Sequence, residues 1–109
     1  IIYVSDCDAG KIRVYDYFGN FLQDIGEGIL RSPKGLCTNS EGHLFVADSE
    51  LNQIFVFNQT GRLLLNFGSP GEKFGAFSEP FDVDAGRNRL IVADAANNRI
   101  QVFELYWTH

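Results

Sequence analysis

Aspartate recurs along this chain in settings that invite chemistry. Asp6 and Asp8 bracket a cysteine in "DCDAG", Asp82 and Asp84 stand alike in "DVDAG", and Asp94 opens "DAANNR". Carboxylates at alternate positions before a turn are how EF-hand calcium loops begin, because a hard cation gathers several oxygen ligands. Such a loop closes on a glutamate at its twelfth position, where this chain has Tyr17 and Ala93. The metal reading fails, and no cofactor is expected. "GEGILR", Gly26 to Arg31, starts like a phosphate cradle but ends on arginine and leads into no helical pattern. "GSPGEKFG" sets a lysine among glycines without the G-K-[ST] ending of a P-loop, and no G-x-S-x-G nucleophile elbow occurs. The histidines are His43 and the terminal His109, and Cys7 sits between two acids, a setting unlike that of reactive thiolates. No catalytic residue is expected in these 109 residues.

The aspartates find a better explanation in a repeat. "IYVSDCDAGKIRVY" begins at Ile2, "LFVADSELNQIFVF" at Leu44 and "LIVADAANNRIQVF" at Leu90, at offsets of 42 and 46 residues. Val4, Asp6, Ile12 and Val14 reappear as Val46, Asp48, Ile54 and Val56, and again as Val92, Asp94, Ile100 and Val102. Within each copy the β-branched and aromatic runs have strand length, and Asp, Ser, Asn and Gly separate them. The full unit predicts four strands, near 35–39, 44–47, 53–57 and 62–67, with turns at "SEGH", "DSELN" and "NQTG". No stretch carries a helical period, so the chain reads as all-β. A period of 40 to 50 residues holding four short strands is the mark of a propeller blade. Blade sheets are covered on both faces, which accounts for runs such as "QIFVF" that do not alternate between apolar and polar.

The pattern V-A-D-x-x-N-x-x-I-x-V-F, then a glycine turn, "FG", a glycine-rich loop and a proline before the next strand, resembles the NHL repeat. The resemblance spans nearly the whole chain. It implies a partial β-propeller: about two and a half four-stranded antiparallel blades of a six-bladed ring. The units run from about 1 to 32, partial and without its innermost strand; 33 to 79, complete; and 80 to 109, partial and without its outermost strand. On this fold Asp6, Asp48 and Asp94 close the second strand as turn residues whose carboxylates accept backbone N–H bonds. Asn97 and Asn98, like Gly10 in the first copy, are expected to take positive φ. Asp48→Asn should then be mild, and Asp48→Ala should cost about 1 kcal/mol.

Composition bounds the partners. A chain that is 45% hydrophobic should fold, and it has no apolar run of the length a membrane span needs. The net charge of −5 suits a phosphate backbone poorly, so nucleic acid is the less favoured partner. Two cysteines make neither a disulfide framework nor a metal pair, which favours a reducing, cytoplasmic compartment. A chain that starts on Ile1 and holds no methionine reads as a segment of a longer protein. A signal peptide upstream would point instead to the outside of the cell, where the Asn58 sequon "NQT" becomes a glycosylation site.

What remains is surface. The turns between second and third strands and the loops between blades should share one rim, near residues 6–11, 26–34, 48–53, 68–80 and 94–99. Its candidate partner-binding residues are Lys11, Glu27, Arg31, Lys34, Glu50, Glu72, Lys73 and Arg99. The resemblance implies a protein-interaction platform, as in tripartite-motif NHL proteins, which recruit substrates to a ubiquitin ligase whose catalytic parts lie elsewhere. Single-stranded RNA binding on the same rim and extracellular ligand sensing are the alternatives. Three sheets are too few to close a ring, so the end sheets should seek the remaining blades of a parent chain or a second copy. Ile12, Val14, Phe103 and Leu105 are the apolar residues expected on those uncovered faces. Calcium should leave the melting temperature unchanged in a thermal-shift assay, and a rise that Asp48→Asn abolishes would reinstate the metal reading.

Overall fold

The computed structural model describes residues 1 to 106, and within them every long element is a strand. β1 (Ile2–Asp6), β2 (Lys11–Tyr15) and β3 (Phe21–Ile25) form the first antiparallel sheet in chain order. The middle sheet adds a fourth strand: β4 (Pro33–Thr38), β5 (Leu44–Asp48), β6 (Gln53–Phe57) and β7 (Leu63–Phe67). The last sheet holds β8 (Pro80–Gly86), β9 (Arg89–Asp94) and β10 (Arg99–Glu104). The protein is thus all-β, a partial propeller of one four-stranded and two three-stranded blades. Among the described residues no helix is long and apolar enough to cross a membrane.

Local chemistry sets the hairpins. Asn58 Oδ1 accepts the backbone N–H of Thr60 and Arg62, and the Thr60 hydroxyl as well. Asp16 and Asn39 close their turns by the same Asx geometry, from Phe18 and Asn20 and from Glu41 and His43. The turns between second and third strands each pass through one left-handed residue, and the repeat puts these in register: Gly10 (φ 69°), Asn52 (φ 57°) and Asn98 (φ 54°). Asn97 differs from the sequence-based expectation. It lies in the 3-10 turn Ala95–Asn97, and Asn98 alone makes the left-handed step. The first strands of the middle and last blades converge so closely that a side chain on Gly35 would meet the Asp82 backbone at 2.5 Å from its Cα.

Packing turns on two unlike faces per sheet. Leu44, Val46, Phe55 and Phe57 of the middle sheet look back and join Ile12, Val14, Ile25 and Leu30 in one core. Phe45, Ala47, Ile54 and Val56 look forward and join Phe77, Val83, Leu90 and Val92 in a second. Ile12 and Val14, expected on an uncovered face, are therefore buried, because the third-strand Ile and Val point toward the following blade. Phe103 and Leu105 likewise pack against the second core. The uncovered faces belong instead to Ile2 and Val4 in the first sheet and to Ile91, Ile100 and Val102 in the last. Ile54 is 0% exposed and its repeat equivalent Ile100 is 68% exposed. Truncating Ile54 to Ala should cost about 2–5 kcal/mol by cavity formation, whereas Ile100→Ala should change stability by less than about 0.5 kcal/mol. Urea unfolding in dilute solution separates the two, and equal costs would contradict the facing rule.

Candidate functional site

One end of the sheets is a rim of loops held together by buried carboxylates. Asp48 is fully buried, and its two oxygens accept five hydrogen-bond contacts from four backbone N–H groups. Glu50 (3.1 Å) and Leu51 (3.0 Å) belong to its own turn; Arg31 (2.7 Å) and Ser32 (3.1 Å) belong to the loop entering the blade. The aspartate is more than a turn residue, since it ties that turn to the loop between blades. Ser49 N–H reinforces the tie on Ser32 O at 3.1 Å.

Asp94 performs the same task with different donors. Its carboxylate accepts Ser78 N–H at 2.7 Å, Arg99 Nε at 2.8 Å, Asn97 Nδ2 at 3.0 Å and Gln101 Nε2 at 3.1 Å. Burial by itself would push this carboxyl up, but the bonds from Asn97, Ser78, Arg99 and Gln101 together outweigh it and hold the group below the usual carboxylate range. Asp6 keeps a single turn bond, from Ala9 N–H at 3.1 Å, because no loop precedes it among the described residues.

These ties decide which charged residues face outward. Arg99 is turned inward: beyond Asp94, its guanidinium donates to Glu72 O (2.6 Å), Lys73 O (3.0 Å) and Ala76 O (2.9 Å), so it moulds the 68–79 loop. Lys11 is held against Asp24 at 3.0 Å. Glu27, Glu72 and Lys73 are exposed, and Arg31 and Glu50 make only a loose, solvent-facing pair at 3.9 Å. Lys34 is half-buried at the start of β4, with its Nζ 5.8 Å from the Phe81 ring centroid. Together with Ser5, Cys7 and Asp82, these two line a cleft of about 340 Å³ where the blades converge.

Three residues of this rim escape sequence reasoning. Phe74 is 79% exposed on the 68–79 loop, and Phe81, 56% exposed, takes the position after proline that Lys34 takes one blade earlier. Aligning Pro33 with Pro80 was the available signal for the second. Gln101 stands where the middle blade has Phe55, and it is buried because Gly75 N–H, Ala76 O and Asp94 satisfy its amide. A polar residue at a repeat core position was its signature.

Cys37 is poorly placed to act as a nucleophile. Burial pushes the Cys37 thiol up to about 12; the Asp84 and Asp82 charges add to this, and a hydrogen bond with the Ala85 backbone opposes it. Among the described residues no three His, Cys, Asp or Glu side chains are placed to hold a metal ion.

The chain is similar to known proteins in sequence and in fold. The NHL repeat model matches residues 30–57, which take in β4, β5 and β6. NHL-repeat-containing protein 4 of Homo sapiens is 34% identical over 104 residues, covering 89% of this chain and 77% of that protein. The B-box type zinc finger protein ncl-1 of Caenorhabditis elegans is 33% identical over 57 residues, 52% of this chain; the match spans only 7% of that longer protein. The crystal structure of the computationally designed Ika4 protein superposes with a TM-score of 0.53 at 14% identity, covering 95% of this chain and 84% of Ika4, a likeness of fold alone.

The carboxylate ties generate a pH signature. Since the folded pKa of Asp94 lies below its ordinary value, its ionised form stabilises the fold above about pH 4, and that stability is lost as pH falls through the lowered value. Asp94→Asn should therefore be destabilised at neutral pH, with the gap to wild type narrowing in acid. Asp48→Ala should cost more than the about 1 kcal/mol of a single turn bond, because it leaves several buried N–H groups unpaired. Thermal melts from neutral pH to pH 3 check both, and a gap independent of pH would contradict the first. The repeat, the blade topology and the match to a relative of similar span agree, and this chain belongs to the NHL-repeat family.

Proposed function

We propose that the loop rim docks a protein partner, with Phe74, Phe81, Arg31 and Glu50 as its principal contacts and Glu27, Glu72, Lys73 and Lys34 around them. The observation that carries this reading is the exposure of Phe74 on the 68–79 loop and of Phe81 at the start of β8, next to loops that hydrogen bonds from Arg99 and to Asp94 hold in place. Aromatic anchors and arginine supply most binding energy at protein interfaces, and a rim that is already ordered loses little entropy on binding. NHL propellers in general serve as interaction domains, and that coarse function extends to this chain. The finer reading is substrate recruitment for a tripartite-motif ubiquitin ligase in the cytoplasm. It is supported by the likeness to ncl-1, whose name records a B-box zinc finger. Any catalysis is then assigned outside these repeats.

Single-stranded RNA is the second reading, favoured by one feature: Lys34 beside the exposed Phe81 ring, a pairing on which a base could stack. Against it stand the exposed acids Asp8, Glu27, Glu50, Glu72 and Glu79, which outnumber the cations Arg31, Lys34 and Lys73. The test pairs two measurements on wild type and on Phe74→Ala, Phe81→Ala and Arg31→Glu. Quantitative affinity capture from cells should lose a reproducible protein set about tenfold or more with each variant at unchanged melting temperature. Titration with short RNAs should give weak, non-selective binding. A protein set indifferent to all three changes would overturn the proposal, and tight sequence-selective RNA binding lost in Arg31→Glu would put RNA in its place.

A further inference from the structure

We infer that Ser69 is a phosphorylation site for a proline-directed protein kinase, an acceptor that the fold selects over the matching dipeptide at Ser32. The inference is independent of what the rim binds. Two of the chain's three prolines follow a serine, in "LRSPKG" and "FGSPGE", and serine followed by proline is what such kinases take. Proline has no N–H, so a binding cleft that offers that group no acceptor costs proline nothing and penalises every other residue. Residue type alone does not choose between the two serines.

Their surroundings do. Ser32 is half-buried and tied: its N–H donates to Asp48 at 3.1 Å, its carbonyl accepts Ser49 N–H at 3.1 Å, and its hydroxyl lies 3.4 Å from that of Ser49. Pro33 is buried and pairs with Asp48 in the sheet, so a kinase could reach this serine only by lifting the start of β4 from its blade. Ser69 and Pro70 are both exposed on the 68–79 loop, and among the described residues no hydrogen bond holds the Ser69 hydroxyl. The middle and last blades flank this loop, so its exposure owes nothing to the two uncovered end faces. A residue before proline is kept out of the helical region, and Pro70 is bridged in parallel to Phe77, so the acceptor stretch already runs extended, as a kinase cleft requires. In the transfer Ser69 Oγ attacks the γ-phosphorus of magnesium-bound ATP. The new O–P bond forms, the bond from that phosphorus to the bridging oxygen of ADP breaks, and the hydroxyl proton passes to the kinase's catalytic aspartate. Ser69, Lys73 and Phe74 line one cleft of about 540 Å³. A phosphate there adds about −1.5 to −2 charges beside Phe74, with Lys73 as the cation of the same cleft.

The test incubates the folded chain with a kinase of the cyclin-dependent class, magnesium and ATP, and uses peptides spanning residues 27–38 and 64–75 as unfolded references. Site-resolved mass spectrometry should find a single phosphate on the chain, at Ser69, whereas both peptides are labelled. Ser69→Ala should abolish labelling of the chain at unchanged melting temperature, and Ser69→Thr should restore it. Pro70→Ala should slow labelling about tenfold or more, the cost of one unpaired N–H in the kinase cleft. A folded chain without label at Ser69, or one labelled at Ser32 as fast as its peptide, overturns the inference. So does a label at Ser69 that Pro70→Ala leaves unchanged, which would mean an exposed hydroxyl taken without regard to its proline.

Discussion

Sheet-on-sheet packing through unlike faces is the constraint on which the rest of this structure depends. A small sheet cannot protect both of its sides, and among the described residues there is no α-helix with which to cover them. Each sheet therefore borrows its neighbours. The middle sheet shows the arrangement complete, with β5 and nearly all of β6 removed from solvent and alternate residues serving two separate cores. Burying each aliphatic or aromatic side chain in those cores contributes about 1.5–3 kcal/mol, so the two interfaces dominate whatever local turns add. The same rule fixes direction, because the Ile and Val of every third strand look forward along the row.

Where sheets stack, their loops must meet, and the polar ties at the rim follow from that. A backbone entering a blade brings N–H groups that the sheet ladder does not use, and they are too crowded for water to satisfy. Asp48 and Asp94 meet this need from the ends of β5 and β9, and each carboxylate replaces a set of water contacts by hydrogen bonds to a neighbouring loop. Arg99 extends the scheme by donating to three carbonyls of the 68–79 loop. The rim is thereby ordered from below, and Phe74 and Phe81 remain largely exposed on it, each with one neighbour, Phe103 and Lys34 respectively.

Much of this was legible in the amino-acid sequence. The repeat of Val, Asp, Ile and Val, the strand-length runs between turn residues and the four-strand unit predict a propeller blade, and the structure has one at almost those bounds. Turn chemistry also reads directly, because an Asx turn is made by residues two to four apart and needs nothing distant. Asn58 and Asn98 are of this kind. Asn97 is a near miss by one position, since adjacent asparagines tolerate left-handed backbone about equally and only the 3-10 turn selects between them.

The sequence by itself determined the fold class, the period and the strands, all of which rest on residue type and local spacing. Tertiary structure alone decided which side of each strand meets which neighbour, so that Ile12 is buried and Ile100 bare although the repeat makes them equivalent. It decided, too, that Lys11 and Arg99 are committed within the chain whereas Arg31 and Lys73 are presented outward. The physical reason is the same in each case. A repeat encodes identical positions, but burial and hydrogen-bond partners come from the adjacent blade, and what lies next to a residue in space is a property of the row of sheets rather than of any one copy.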